Sequence, residues 1–134
     1  MKPDLRDRKD IELLVDSFSA KAIVDERLSP FFSGELAIDF EKHKPIMCDF
    51  WEFNLFQTPM KYMRNVMQPH LNLNQKKHLE KSHFDVWVAL FCQTVDALFE
   101  GEKAEKAKES AFTIGMTMEY KIRKINQGGE GSLL

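Results

Sequence analysis

The sequence lacks several features that would assign a chain to a common class. It has no apolar run near the eighteen residues needed to cross a bilayer, and its charged start, M-K-P-D-L-R-D-R-K-D, has no hydrophobic signal-peptide segment. Its 19 Lys and Arg balance 21 Asp and Glu, and the net charge of -2 provides no basic surface for nucleic acid or an anionic membrane. We therefore expect a cytoplasmic protein that binds neither nucleic acid nor membrane.

Reactive motifs are equally scarce. Only two cysteines are present, Cys48 and Cys92, and neither has a CxxC partner, which predicts buried, reduced thiols rather than a disulfide. No G-x-S-x-G elbow, Walker loop or dinucleotide fingerprint occurs. A hydrolase or a nucleotide-dependent enzyme is therefore unsupported.

What the chain has in quantity is soft apolar volume. Eleven Phe and seven Met, against two Tyr, indicate an apolar interior of a kind that could surround something large and flat. The 134 residues suit one domain, which we expect to span 1–134 with a core over about 10–126. Residues 1–9 and 127–134 are expected to be flexible termini.

Apolar spacing predicts helices and no strand of useful length. Asp10 is expected to cap a first helix, which the L-S-P-F-F run from Leu28 stops. A second helix, apolar around most of its circumference, is predicted over Phe40 to Phe56. This helix is predicted either to begin near Pro45 or to bend there.

The second half of the chain predicts two longer helices after an irregular stretch. Short helical pieces and loop are expected over 57–81. Ser82 with Asp85 resembles a capping box for a helix that ends at Gly101, and a last helix is predicted from about Glu102 to Asn126. The predicted fold class is all-α, a compact array of five or six helices.

Metal-binding motifs built on histidine are incomplete in this chain. Its four histidines are His43, His70, His78 and His83. Glu80 with His83 matches one Glu-x-x-His of a di-iron bundle, but that site needs a second copy and two further glutamates. His78 and His83 are five residues apart, not the four of a zinc-binding helix. Both are therefore expected to be exposed or capping residues.

The remaining candidates are two histidines and a tryptophan. His70 follows Pro69 directly in the irregular stretch, His43 lies at the head of a buried helix, and Trp87 lies in the helix after the stretch. An apolar pocket with one histidine entering from each side would suit a flat cofactor with an axial iron ligand. Ordinary core and surface roles for all three stay open on spacing alone.

The order of five short runs resembles that of the group III truncated haemoglobins. The runs are D-I-x-x-L-V-x-x-F at Asp10–Phe18, D-E-R-L-S-P-F-F at Asp25–Phe32, H-K-x-x-x-x-x-F-W at His43–Trp51, M-x-P-H-L at Met67–Leu71 and H-F-D-V-W-V-A-L-F at His83–Phe91. Each run alone is degenerate, but five in register are fairly specific. The similarity extends over most of the chain, from about residue 10 to residue 125.

The resemblance implies a truncated globin fold, a helical sandwich around haem b (iron protoporphyrin IX). It implies His70 as the proximal iron ligand, His43 as the distal histidine, Trp87 beside the bound ligand and Phe32 as a wedge against the haem. The cofactor-binding residues that it implies are His70, Phe32, His43, Met47, Phe50 and Trp87.

Two departures from the family pattern concern this pocket. Members usually carry a tyrosine after the phenylalanine of the first long helix, and its hydroxyl donates a hydrogen bond to the ligand; here Ser19 follows Phe18. The expected distal pocket is therefore Ser19, His43 and Trp87. The usual Y-x-G-x-P turn reads Y-M-R-N-V from Tyr62 to Val66, so the path into His70 is expected to differ.

The expected function is binding of a small diatomic gas, oxygen or nitric oxide, at iron. Oxygen binding or transport, sensing and nitric-oxide detoxification all fit this expectation, and a reductase is a conceivable partner. A haem enzyme with nitric-oxide dioxygenase or peroxidase-like activity would share the same site. The alternative from a different class is a haem-free α-helical globin-like module that acts through protein interaction.

Overall fold

Helices make up most of the structure. A computed structural model describes residues 2–32, 40–57, 74 and 79–127. The elements are α1 (Arg8–Val24), a short 3-10 helix (Ser29–Phe32), α2 (Phe40–Phe56), α3 (Lys81–Leu98) and α4 (Glu102–Asn126). No strand occurs in these ranges, which agrees with the all-α prediction. The short helical pieces and loop predicted over 57–81 fall mostly outside the described residues.

The bounds predicted for α2 and α4 are confirmed. Pro45 lies inside α2, five residues after its first residue, so the helix begins at Phe40 and not at the proline. Because Pro45 has no N–H, it cannot donate the helical hydrogen bond to the residue four positions earlier, a loss that is smallest close to a helix start.

The cap predicted for the first helix is wrong. Asp7, not Asp10, has the extended backbone of an N-cap, and its side chain accepts a hydrogen bond of 3.2 Å from the Asp10 N–H. Asp10 lies inside the first turn, where its carboxylate accepts from the Arg6 backbone N–H at 2.9 Å and from Arg6 Nε at 3.0 Å. The competing Asp three residues earlier therefore takes the capping role.

The predicted capping box of α3 is also wrong in its residues. Glu80 is the N-cap, and its side chain accepts from the backbone of His83. His83 reciprocates, because its Nδ1 accepts a hydrogen bond of 2.9 Å from the Glu80 N–H. This is a capping box in which an imidazole takes the place of the usual Glu or Gln side chain at the third helical position. The expectation that His83 caps a helix is confirmed, whereas Ser82 and Asp85 lie within the first turn and a half.

Two clusters of buried side chains form the core. The first cluster lies among α1, α2, α3 and the start of α4, and consists of Leu5, Ile11, Leu14, Val15, Phe18, Ala22, Leu28, Cys48, Trp51, Leu55, Phe91, Val95, Phe99, Ala104, Ala107 and Ala111. The second cluster consists of Phe31, Leu79, Phe84, Met118 and Ile122. The helical spacing of apolar residues in α1 and α4 places these side chains on the buried faces.

The pair of helices α3 and α4 packs closely. A Cβ added at Gly115 would lie 2.6 Å from Val88 Cγ2, so the absence of a side chain lets the two backbones approach at this point. No described helix is long and apolar enough to span a membrane.

The N-terminal segment packs against the turn between α3 and α4, at what we term the Gly101 corner (Lys2–Leu5 with Phe99–Ala104). Leu5 is buried, and the Pro3 carbonyl accepts a hydrogen bond of 3.0 Å from the Glu100 N–H. The Asp4 carboxylate accepts from the N–H groups of Lys103 and Ala104, each at 2.9 Å. Residues 2–9, which were expected to lie outside the core as a flexible terminus, are therefore packed onto it or lie in α1.

Candidate ligand site

A set of four aromatic rings connects α1, α2 and α3, and we term it the aromatic layer (Phe18, Trp51, Trp87 and Phe91). Phe91 stacks on Trp51 with ring centroids 4.7 Å apart and on Trp87 with centroids 5.7 Å apart. Phe18 meets Trp87 edge-on at 5.8 Å and Phe91 edge-on at 5.7 Å. Such offset-stacked and edge-on pairs add stabilisation beyond their buried area and restrict ring rotation. Trp87 is thereby held on two sides.

Trp87 differs from its neighbours in exposure. Phe91 and Trp51 are buried, at 1% and 4% exposure, whereas Trp87 is only half-buried and packs against the first cluster from its edge. Part of the indole is therefore covered by Phe18 and Phe91, and the rest is exposed and able to contact another group. An indole offers an apolar face and a single N–H donor.

One face of α2 carries three of the predicted residues. His43, Met47 and Phe50 follow at i, i+4 and i+7, a spacing that places side chains along one side of a helix. All three are half-buried, and Met47 and Phe50 pack against the first cluster. Phe50 also meets Trp51 edge-on at 5.2 Å, which joins this face to the aromatic layer.

Ser19 occupies a buried position on α1, with 4% of its surface exposed. The preceding residue, Phe18, is the one that meets Trp87 and Phe91 edge-on. Ser19 therefore directly follows a residue of the aromatic layer, and its side chain adds a hydroxyl to the buried face that Val15, Phe18 and Ala22 form.

Phe32 lies where the two clusters approach each other. It ends the 3-10 helix and packs against both clusters while remaining half-buried. Its neighbour Phe31 is buried and meets the His83 ring edge-on at 5.1 Å. The 3-10 turn thus directs two adjacent phenylalanines into different surroundings.

His70, the predicted proximal ligand, lies outside the described residues, as do His78 and the Tyr62–Val66 turn. The structure therefore describes Ser19, Phe32, His43, Met47, Phe50 and Trp87 among the predicted site residues. It joins Phe50 and Trp87 through contacts with the aromatic layer. No group of three or more His, Cys, Asp or Glu side chains within the described ranges is arranged to hold a metal ion.

Charged groups lie at the margin of this region rather than inside it. Arg8 of α1 pairs with Asp49 and Glu52 of α2, and Lys44 pairs with Asp16. Cys48, between these pairs, is 1% exposed, and burial raises the pKa of its thiol to about 11. The thiol is therefore neutral at physiological pH. Both cysteines are free, as predicted, but only Cys48 is buried; Cys92 is half-buried, so its predicted burial is wrong.

The described residues fit a flat, largely apolar macrocycle. Phe32, Met47, Phe50 and Trp87 are half-buried although each packs against a buried cluster, so they retain apolar surface to cover another group. His43 adds an imidazole one turn before Met47 on the same helix face. An apolar wall with an imidazole beside it is compatible with haem, whose axial ligand in globins is a histidine.

Sequence reasoning missed the residues that hold Trp87 in place. Phe91 and Trp51 were named only as the last residues of the His83–Phe91 and His43–Trp51 runs, although Phe91 is stacked between Trp51 and Trp87. The available signal was local: Trp87 and Phe91 are four residues apart on one helix, a spacing at which side chains meet. The contact with Trp51 had no signal in the sequence.

Comparison with known proteins identifies the fold. No protein-family model and no curated protein match this sequence. The crystal structure of a group III truncated haemoglobin from Campylobacter jejuni superposes on it with a TM-score of 0.78, over 91% of this chain and 95% of that chain, at 21% sequence identity. The chain therefore has the truncated globin fold, as the resemblance implied.

Proposed function

We propose that this protein binds haem b and takes up a small diatomic ligand, oxygen or nitric oxide, at the haem iron. The observation that carries the proposal is the truncated globin fold, combined with the half-buried face of His43, Met47 and Phe50 beside Trp87. Bound haem supplies an iron that coordinates the gas. The chain supplies the apolar surroundings, the axial nitrogen and any hydrogen-bond donor near the ligand.

The axial nitrogen is assigned to His70 on the resemblance of the M-Q-P-H-L run. On the opposite side, His43 and Trp87 are the donors that could reach a bound ligand. Ser19 stands where the resembling family has tyrosine, and its hydroxyl ends several bonds closer to the backbone. A direct hydrogen bond from Ser19 is therefore replaced by a bridging water or lost.

A haem titration tests the proposal. Haem added to the protein should produce a Soret band that saturates at one haem per chain. In His70→Ala, the spectral features of histidine-ligated iron, whether low-spin or five-coordinate, should be lost. His83→Ala is the matched control, because it removes a histidine that caps α3 and should leave the spectrum unchanged. A chain that binds no haem, or a His70→Ala variant with an unaltered spectrum, would refute the proposal; the first result favours the haem-free interaction module.

The role of Ser19 has a sharper test. A buried hydrogen bond contributes about 1–3 kcal/mol when its loss leaves a group unpaired, so Ser19→Tyr should slow oxygen dissociation by about fivefold or more. Ser19→Phe is the control, because it adds the same ring without the hydroxyl. If the two variants slow dissociation equally, the effect comes from ring size and not from a hydrogen bond. Rates are read by stopped-flow absorbance at the Soret band.

A further inference from the structure

The solvent side of α4 carries an apolar stripe whose side chains are more than half exposed. Phe112, Met116 and Tyr120 are 57%, 58% and 54% exposed. They follow at i, i+4 and i+8, whereas the buried residues of α4 lie on the opposite side of the helix. Single exposed apolar residues are ordinary, but three in line on one helix make a contiguous patch, which marks an interaction surface.

Residues of opposite charge flank the stripe at its two ends. Glu109 precedes Phe112 by three residues and Arg123 follows Tyr120 by three, and both are exposed. Together with Phe112, Met116 and Tyr120 they form what we term the α4 seam, with successive spacings of three, four, four and three residues. At 3.6 residues per turn, the five side chains fall within an arc of about 80°. The seam is therefore symmetric in spacing about Met116 and opposite in charge at its two ends.

This symmetry favours a second copy of the same chain as the occupant. If two α4 helices pack antiparallel with a two-fold axis at Met116, Phe112 of one copy faces Tyr120 of the other, because each lies four residues from the axis. Glu109 then faces Arg123 of the second copy, because each lies seven residues away. A two-fold interface needs this self-complementarity, and an antiparallel pair obtains two acid–base contacts from one sequence pattern.

The charge distribution along α4 agrees with that orientation. On the seam side of the helix, the first two turns carry Glu102, Glu105 and Glu109, and the exposed charges of the last turn are Arg123 and Lys124. The half-buried Lys103, Lys106 and Lys108 of the first two turns lie outside the arc of the seam. Arg123 and Lys124 both lie 5.5 Å from the centre of the Tyr120 ring, which gathers the positive charge at the end of the seam. A parallel pair would bring like charges together, and an antiparallel pair separates them.

We infer that the α4 seam is a homodimer interface, in which two chains pack antiparallel along α4 about Met116. Five side chains per copy are far fewer than the roughly 20–30 residues a side of a standard interface, so the contact falls below the roughly 1,200–2,000 Å² that specific interfaces bury. The dimer is therefore a weak one that depends on protein concentration and salt. This inference does not depend on haem binding, since α4 presents the seam on the side away from the core.

Sedimentation velocity of the full-length protein, purified with haem, tests the interface from about 1 μM to about 1 mM, a range that brackets weak association. The wild type should shift from monomer to dimer mass as concentration rises. Met116→Lys should remain monomeric, since the two-fold axis would set two lysines against each other. Leu13→Lys is the matched control, because Leu13 is 48% exposed on α1, away from the seam, and this variant should dimerise like the wild type.

A charge exchange distinguishes the proposed pairing from a nonspecific apolar contact. Glu109→Lys and Arg123→Glu should each weaken the dimer at least several-fold, and the double variant should restore it. Circular dichroism checks that each variant keeps its helix content, since Arg123 also pairs with Glu119 within the chain. A wild type that stays monomeric throughout would overturn the inference, as would a dimer that survives Met116→Lys, fails in Leu13→Lys, or is not restored by the exchange.

Discussion

The aromatic layer and the Gly101 corner both join parts of the chain that are far apart in sequence, and they use different forces. The aromatic layer joins three helices through ring contacts between side chains that are mostly buried. The Gly101 corner joins the N-terminus to α4 through hydrogen bonds to one carboxylate, across 99 and 100 residues. Burial is nondirectional and tolerates small shifts, whereas a cap requires particular atoms in particular places.

The difference extends to pH. Ring stacking has no titrating group, so its contribution to stability is constant over the acidic range. The Asp4 carboxylate does titrate: partial burial by itself would raise its pKa, but hydrogen bonds from the backbone of Lys103, Ala104 and Leu5 outweigh burial and lower the pKa below its ordinary value. The aromatic layer is therefore expected to lose stability mainly when a side chain is truncated. The Gly101 corner is expected to lose stability on truncation and also when the pH falls.

The largest effect is expected at the centre of the aromatic layer. Phe91→Ala removes a ring that contacts Trp51, Trp87 and Phe18, and deletion of a fully buried phenylalanine costs about 3–5 kcal/mol. Phe112→Ala is the matched control, because the same substitution at a 57% exposed site should change the free energy of unfolding by less than about 0.5 kcal/mol. Urea denaturation of dilute protein measures both. Equal losses would mean that the layer contributes no more than the surface.

A smaller loss is expected from Gly101→Ala at the corner. Gly101 has φ of 138°, a conformation that L-residues rarely adopt, and an added Cβ would lie 2.5 Å from Asp4 Cγ. The substitution therefore strains the backbone and displaces the cap, at a cost of about 1–3 kcal/mol. Combining it with Asp4→Ala should cost less than the sum of the two single changes, because both remove one interaction. Full additivity in a denaturation cycle would show that the two residues act independently.

The smallest loss is expected from Asp4→Asn, and it should depend on pH. Asn keeps one acceptor oxygen but presents an NH2 group to the second backbone N–H, so about one hydrogen bond to a charged group is lost and the expected deficit near neutral pH is about 1–2 kcal/mol. Since the folded pKa of Asp4 lies below its ordinary value of 3.8, the charge stabilises the fold fully above that value and progressively less as the pH falls through the folded pKa. The gap between wild type and variant should therefore narrow below about pH 4. A gap that is constant with pH would show that the carboxylate charge is unimportant.

Much of the helical framework was predictable from local pattern. The bounds of α2 and α4 followed from apolar periodicity and from Gly101, and the buried Ile11, Leu14, Val15, Phe18 and Ala22 of α1 recur at the spacing of one helix face. The capping residues were not predictable in the same way. Asp7 and Asp10 are equally good caps by residue type, and the choice between them depends on the pairing of Asp10 with Arg6.

The candidate site also has one feature that local spacing predicts and another that depends on helix packing. The i, i+4, i+7 spacing of His43, Met47 and Phe50 is enough to place them on one face of a helix. The stacking of Phe91 between Trp51 and Trp87 depends on how α2 packs beside α3, and pairwise spacing within one helix carries no information about that packing. The role of His70 stays a prediction that rests on the resemblance.

Residue order and local periodicity are sufficient for the all-α class, for the faces that the helices bury and for the resemblance to truncated haemoglobins. Three features arise only from the packing of the helices: which rings stack, that Asp4 caps a helix that begins 98 residues later, and that Phe112, Met116 and Tyr120 of the α4 seam stay more than half exposed. The physical reason is that a helix specifies its own apolar face within a few turns. Which partner covers that face depends on contacts between residues that only folding brings together.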